Sequence, residues 1–348
     1  MFTISVFFRH ITLRSCHFSC HRPMARRTTR RGALRSLGSA TFLGSVMGTL
    51  SEDSQSVTGH VRITEPGRYH LTEDIDCLEI VADRVRVDGR RHTVRGLTTI
   101  LGSSVSITNL AMGDGVRILD ARHVSIDDSR IDVRLVRQPE ADTLLSIENS
   151  RQCVVTDTVL HSTNRTGVEL TNSEKNTFRS CTMTSSVVVS LTNSHKNRFV
   201  DCELLSEDRV VVLTNSDLNR FKSNVLDSDA PAFTLVNSEL NRFVENEIDI
   251  LVAGFVLRRS GRNLVLKNVV DGDLGARGAI LEDSDRNRIE RNDFCALLVP
   301  PPFEPLVVVS PDSTGNVIRN VECEANTKSE TPPSHPQSDD KHCTLPEE

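Results

Sequence analysis

The chain has 348 residues and a formal charge of −6, with 41 Lys and Arg against 47 Asp and Glu, one Tyr and no Trp. Only 6 of the basic residues are Lys, and Ser, Thr, Asn, Asp and Val are abundant, which favours short strands and turns over helices. Residues 1–51 hold eight Arg and no acid, so the remainder carries 33 basic and 47 acidic residues, a net −14 that disfavours nucleic acid and anionic membrane as partners.

In chain order, Thr29-Arg30-Arg31-Gly32-Ala33-Leu34-Arg35 reads as a twin-arginine export signal, with Ala33 where Phe is usual. The small-residue apolar run from Ser36 to Leu50 is shorter than the roughly 20 residues a spanning helix needs, so removal after export is expected rather than anchoring. Met24, just before the basic segment, reads as an alternative start of translation. Residues 1–51 are thus expected to be an export region, 52–323 one domain, and 324–348 a disordered tail rich in Pro, Ser and acids. The expected location is extracytoplasmic, secreted or at the cell surface, with no membrane span in the mature chain.

The domain opens with weakly repeating turns in which Val85/Val87, Val105/Ile107, Val124/Ile126 and Cys153/Val155 take equivalent apolar positions. The repeat then becomes explicit. Asn172-Ser173-Glu174-Lys175-Asn176-Thr177-Phe178 is followed by Asn193-Ser194-His195-Lys196-Asn197-Arg198-Phe199. The next copies are Asn215-Ser216-Asp217-Leu218-Asn219-Arg220-Phe221 and Asn237-Ser238-Glu239-Leu240-Asn241-Arg242-Phe243. The second Asn recurs at Asn176, Asn197, Asn219, Asn241, Asn263, Asn287 and Asn316, in steps of 21, 22, 22, 22, 24 and 29. A period of this size signals a solenoid.

Within each copy the period is two. Apolar or small residues fall two, five and seven places after the Asn (Phe199, Cys202 and Leu204), and the step from two to five implies a corner. Strands this short bury nothing alone, so each pairs in parallel with its equivalent one coil away, about 4.8 Å along the axis. The predicted fold is all-β, a right-handed parallel β-helix of about eleven coils with about 22 residues each. Phe178, Phe199, Phe221 and Phe243 become an internal aromatic stack. The repeated Asn is expected at a corner, in the left-handed conformation, its amide bonding the coils above and below. Excursions are expected around Arg134 to Asp142 and at Leu297 to Leu306, where Pro300-Pro301-Pro302 does not fit a sheet.

This S-x-x-N-x-[FI]-x-x-[NC]-x-[LI] coil resembles the NosD-like group of right-handed parallel β-helix proteins, related to pectate-lyase-like carbohydrate-binding and sugar-hydrolase repeats. The segments from Ile63 to Leu71 and from Ile80 to Gly96 resemble the N-terminal part of exported haloarchaeal members. The likeness covers about residues 60–322. It implies the fold, and for function it implies either copper delivery to nitrous oxide reductase or cleavage or epimerisation of polysaccharides.

The residues themselves point to little chemistry. The histidines from His60 to His342 form no column and no metal-ligand spacing, so neither a metal site nor a cofactor is expected. Asp127 and Asp128 point to opposite faces of a strand; Asp201 and Glu245 share an outward slot with Ser223 between them. Cys181 and Cys202 occupy the same slot in adjacent coils, within disulfide reach, with buried free thiols as the alternative. Arg198, Arg220 and Arg242, with Arg288 further on, form either a cationic stripe for an acidic polysaccharide or a solvated face neutralised by Glu174, Asp217 and Glu239. The preferred reading is a monomeric, non-catalytic binder of carbohydrate or a cell-surface partner along the lateral face. The alternatives are a polysaccharide lyase, hydrolase or epimerase, and a NosD-like copper delivery factor. Pectin- or alginate-enzyme signatures are absent, which leans the reading away from an enzyme.

Overall fold

Strands of two to six residues bounded by Asn, Asp and Ser wind into stacked turns in the computed structural model, which describes residues 55–57, 59–135, 141–272, 275–294 and 306–319. The export region, the tail, and most of both excursions lie outside the described residues. Three wholly parallel sheets of 13, 12 and 9 strands run the length of the molecule, making a β-solenoid of about ten turns. No helix of the described residues is long and apolar enough to cross a membrane.

One coil shows how the sequence makes a turn. Arg198–Val200 lies in the first sheet, Glu203–Ser206 in the third and Arg209–Thr214 in the second, after which Arg220–Lys222 returns to the first. Alternation sends Phe199 inward and Arg198 outward, and the next strand repeats it in register, Arg198 to Arg220 and Phe199 to Phe221. A continuous core of buried apolar side chains thereby extends from Val61 to Phe294.

Side-chain columns bind the coils together. Phe178, Phe199, Phe221 and Phe243 stack with centroids 4.6, 4.9 and 5.6 Å apart and planes within 11° of parallel. A second pair from the second sheet, Phe233 and Phe255, meets this stack edge-on, Phe233 lying 5.3 Å from Phe221 and 4.6 Å from Phe243. The ladder asparagines are fully buried. Asn219 Oδ1 accepts the Asn197 N–H at 2.9 Å, its Nδ2 donates to Ser194 O at 3.0 Å, and its own N–H donates to Asn241 Oδ1 at 2.8 Å. Asn176, Asn197, Asn241, Asn263 and Asn287 continue the chain of bonds, joined at its end by Asn316. Parallel columns of Ser (Ser194 N–H to Ser216 Oγ, 3.1 Å) and of a second Asn (Asn224 N–H to Asn246 Oδ1, 3.1 Å) do the same at neighbouring corners. Each bond contributes about 1 kcal/mol, and an unmade one in this interior costs more.

The left-handed conformation is not where the sequence places it. The ladder Asn does not adopt it. Positive φ falls on the residue before, at Lys175, Lys196, Leu218, Leu240, Arg262 and Arg286, and on the first Asn of each copy, at Asn172, Asn193, Asn215 and Asn237. The reason is directional: the ladder side chain must point inward to reach its carbonyl, so the chain reverses one residue earlier, where the side chain projects to solvent.

Candidate functional site

Arg198, Arg220 and Arg242 are exposed on the outer face of the first sheet and stand directly opposite one another on successive strands. Leu264 interrupts the column before Arg288. Arg179 and Lys222 lie two residues along the same strands, so the outward positions from Thr177 to Val244 carry five cations and no acid. The acids expected to neutralise them face elsewhere. Glu174 pairs with Lys175 at 3.4 Å, Glu239 with Arg262 at 3.5 Å, and Asp217 accepts the Glu239 N–H at 2.7 Å. Among the described residues no carboxylate lies within ion-pair distance of Arg198, Arg220 or Arg242; Lys222 meets Glu245 at 3.3 Å. Stacked like charges repel across a parallel ladder.

The third sheet has the opposite character. Asp227, Asp249 and Asp271 form an outward column, with Glu203 and Glu247 beside it. Asp201, Ser223 and Glu245 lie at the left-handed corner between the two faces, and Glu245 sits between Lys222 and Lys267. Asp127 accepts the Thr156 hydroxyl while Asp128 takes a left-handed corner, so they do not converge.

The root of the first excursion gathers charges the sequence did not single out. The Asp132 side chain is fully buried and accepts bonds from Arg134 Nε (3.0 Å), the Arg134 backbone N–H (2.9 Å) and Arg130 Nε (2.9 Å). Burial alone would raise its carboxyl, but the bonds from Arg134 and then Arg130 outweigh that and hold it at about 2. Nearby, Asp114 and Arg165 are both largely buried and 3.6 Å apart. A carboxyl held at about 2 is a poor proton donor or acceptor near neutrality. Its folded value is below its unfolded one, so its stabilisation is present above about pH 4 and is lost as pH falls toward 2. Asp132→Asn is expected to cost about 2 kcal/mol in urea unfolding at pH 6, with the gap to the wild type closing by about pH 2; a gap unchanged by acid would show that the carboxyl is not held ionised.

A shallow depression of about 360 Å³ opens at the corner between the second and first sheets, lined by Asp120, Arg122, Asn149, Ser150, Arg151, Asn172 and Glu174. It adjoins the coil of Arg179, at the start of the cationic face. Cys181 and Cys202 are buried, neighbouring free thiols, each directed to the carbonyl two residues before it, Arg179 O at 3.3 Å and Val200 O at 3.4 Å. The Cys202 side chain and burial together push the Cys181 thiol far up, and burial pushes Cys153 up to about 11. Among the described residues no three His, Cys, Asp or Glu side chains converge as a metal site. One pair does meet: His60 Nδ1 lies 3.1 Å from Cys77 Sγ.

The family model described as "Periplasmic copper-binding protein (NosD)" matches residues 99–296, more than half of the chain. No curated protein matches. Among solved structures, the periplasmic alginate epimerase AlgG is 14% identical, with 77% of each chain covered and a TM-score of 0.54. DFA-IIIase from Arthrobacter chlorophenolicus A6 is 12% identical over 76% of this chain and 86% of that one, TM-score 0.53. PfbA, a surface adhesin of Streptococcus pneumoniae, is 11% identical over 69% and 81%, TM-score 0.55. At these identities the likeness is one of fold.

Proposed function

This chain belongs to the NosD family, and we propose that it is an exported, non-catalytic member whose first sheet binds an anionic polysaccharide or cell-surface glycan along the solenoid axis. The observation that carries this reading is the unpaired cationic column of Arg198, Arg220 and Arg242 on a body that is otherwise acidic. In-register arginines repel one another, so the column costs stability that a merely solvating surface need not spend. Their spacing, one coil or about 4.8 Å, is comparable with that of successive carboxylates on an extended uronic acid chain, and guanidinium forks suit carboxylate acceptors. The acids of the third sheet flank the stripe and repel a polyanion that strays sideways. The fold is also that of an alginate epimerase and of a surface adhesin. Twin-arginine export through residues 29–35 accords with the family's periplasmic description.

The test is isothermal titration with alginate, polygalacturonate and neutral dextran, with mass spectrometry of the same mixtures. Binding is expected for the two polyuronates, weakening as salt rises. Arg198→Gln/Arg220→Gln/Arg242→Gln is expected to lower affinity tenfold or more while raising the melting temperature, because the like-charge repulsion along the column is removed. Equal affinity in that variant sinks the stripe as the site, and shortened or unsaturated products make the protein an enzyme.

A further inference from the structure

N-terminal to the matched residues 99–296, the first two coils bring a thiol, an imidazole and a carboxylate together. His60–Ile63 pairs in parallel with Cys77–Ile80, setting His60 directly opposite Cys77. Val61 and Leu78 are buried on these strands, so alternation turns His60 and Cys77 to the outer face of the second sheet. His60 Nδ1 lies 3.1 Å from Cys77 Sγ, and the other ring nitrogen, Nε2, lies 3.3 Å from Asp76 Oδ2. The Asp76 backbone is held on both sides, its N–H donating to Gly59 O at 3.3 Å and its carbonyl accepting the Gly96 N–H at 2.6 Å. Around the pair, Arg95 faces Asp76 at 3.6 Å and Asp74 at 3.4 Å, His92 faces Asp74 at 3.7 Å, and Arg62 meets Glu79 at 3.1 Å. Of the described cysteines, Cys77 alone is not buried; Cys153, Cys181 and Cys202 are sealed in the core.

We infer that Cys77 is a nucleophilic thiol, activated by His60, that takes up low-molecular-weight disulfides as a reversible mixed disulfide. A thiol within hydrogen-bond reach of an imidazole, whose far nitrogen is held by a third group, is the arrangement that activates a sulfur nucleophile. Asp76 is the positioning residue. By accepting from Nε2–H it keeps the proton there, so Nδ1 presents its lone pair to the thiol. Acyl transfer would need preorganised donors for an oxyanion, whereas disulfide exchange needs only a thiolate and an open approach to it. Outside the cytoplasm such disulfides persist. In the reaction His60 Nδ1 takes the thiol proton and Cys77 Sγ attacks one sulfur of the small disulfide. The Sγ–S bond forms as the S–S bond of the reagent breaks, and the departing thiolate leaves as a thiol with the proton from His60. Cys77 is oxidised to the mixed disulfide, and half of the reagent is reduced to thiol. The site lies on a different face from the arginine stripe, so its failure leaves the glycan reading untouched.

The experiment follows thiopyridone release from dithiodipyridine across the pH range, with intact-mass spectrometry after incubation with oxidised glutathione. The full chain carries Cys16→Ser, Cys20→Ser, Cys295→Ser, Cys323→Ser and Cys343→Ser, so that Cys77 is read alone against the buried thiols. One equivalent of thiopyridone and one glutathione adduct, removed by dithiothreitol, are expected, and both are expected to vanish in Cys77→Ser. His60→Gln is expected to react about fivefold more slowly near about pH 6.5, where its thiolate is scarce. Above about pH 9 the same variant is expected to match or overtake the wild type, because a thiolate of higher pKa is intrinsically more nucleophilic. Asp76→Asn is expected to shift the profile in the same sense by about twofold. A merely structural role for His60 or Asp76 gives no such crossing, and circular dichroism checks that each variant keeps its fold. Profiles that run parallel at every pH in wild type and His60→Gln overturn the inference, as does labelling that persists in Cys77→Ser or the absence of a glutathione adduct.

Discussion

Asn219→Ala is expected to destabilise the solenoid by about 2–6 kcal/mol in guanidinium unfolding, because two buried groups lose their partner at about 1–3 kcal/mol each. The Asn197 N–H donates to Asn219 Oδ1 at 2.9 Å and Ser194 O accepts from Asn219 Nδ2 at 3.0 Å; both residues are fully buried, and water does not reach them. Asn219→Asp separates the two halves of that cost. The carboxylate still accepts from Asn197, but it turns an oxygen toward Ser194 O and brings a charge into a site with no exposure, so it is expected to be at least as harmful as alanine at neutral pH. Below the pKa of the introduced carboxylate, its protonated form has a donor again, and part of the loss is expected to return. Leu218→Ala, one residue away but 45% exposed, is the control and should leave the midpoint nearly unchanged. Equal effects at 218 and 219 would mean that the corner, not the amide ladder, is what matters.

The parts of the molecule legible in the sequence are those that stacking forces to repeat. A parallel coil meets the same neighbours every 21 or 22 residues, so Phe199 above Phe221 and Asn197 above Asn219 had to be the same residue types, and the period shows it. Features that depend on direction were not legible. The sequence says that asparagine tolerates a left-handed backbone, yet the ladder spends that conformation on Leu218 and Lys196 because Asn219 must face inward. Glu174, Asp217 and Glu239 stand near the arginines in the chain, but the corner turns them to Lys175, to the Glu239 N–H and to Arg262 instead. The charges at Asp132 and Asp114 sit where the repeat breaks, so no period pointed to them. His60 and Cys77 are 17 residues apart in the short first coils, where the spacing differs from the later repeat, so no period pointed to their contact.

Phe221→Ala tests whether the solenoid behaves as one unit or as coupled coils. The ring is fully buried, stacked on Phe199 at 4.9 Å and on Phe243 at 5.6 Å, and edge-on to Phe233 at 5.3 Å, so alanine leaves a large cavity at the meeting of two aromatic columns. A loss of about 3–5 kcal/mol is expected. Phe178→Ala, at the end of the stack with a single aromatic neighbour, removes the same volume but fewer ring contacts, and is expected to cost less by about 0.5–1.5 kcal/mol for each ring contact it lacks. In a solenoid each coil touches only its neighbours, so weakening an interior interface also weakens the coupling between the two halves. Urea unfolding of Phe221→Ala, followed by far-ultraviolet circular dichroism, is therefore expected to broaden or divide where Phe178→Ala stays sharp. A sharp transition in both, with equal losses, would show that burial alone sets the cost and that the aromatic columns add no coupling along the axis.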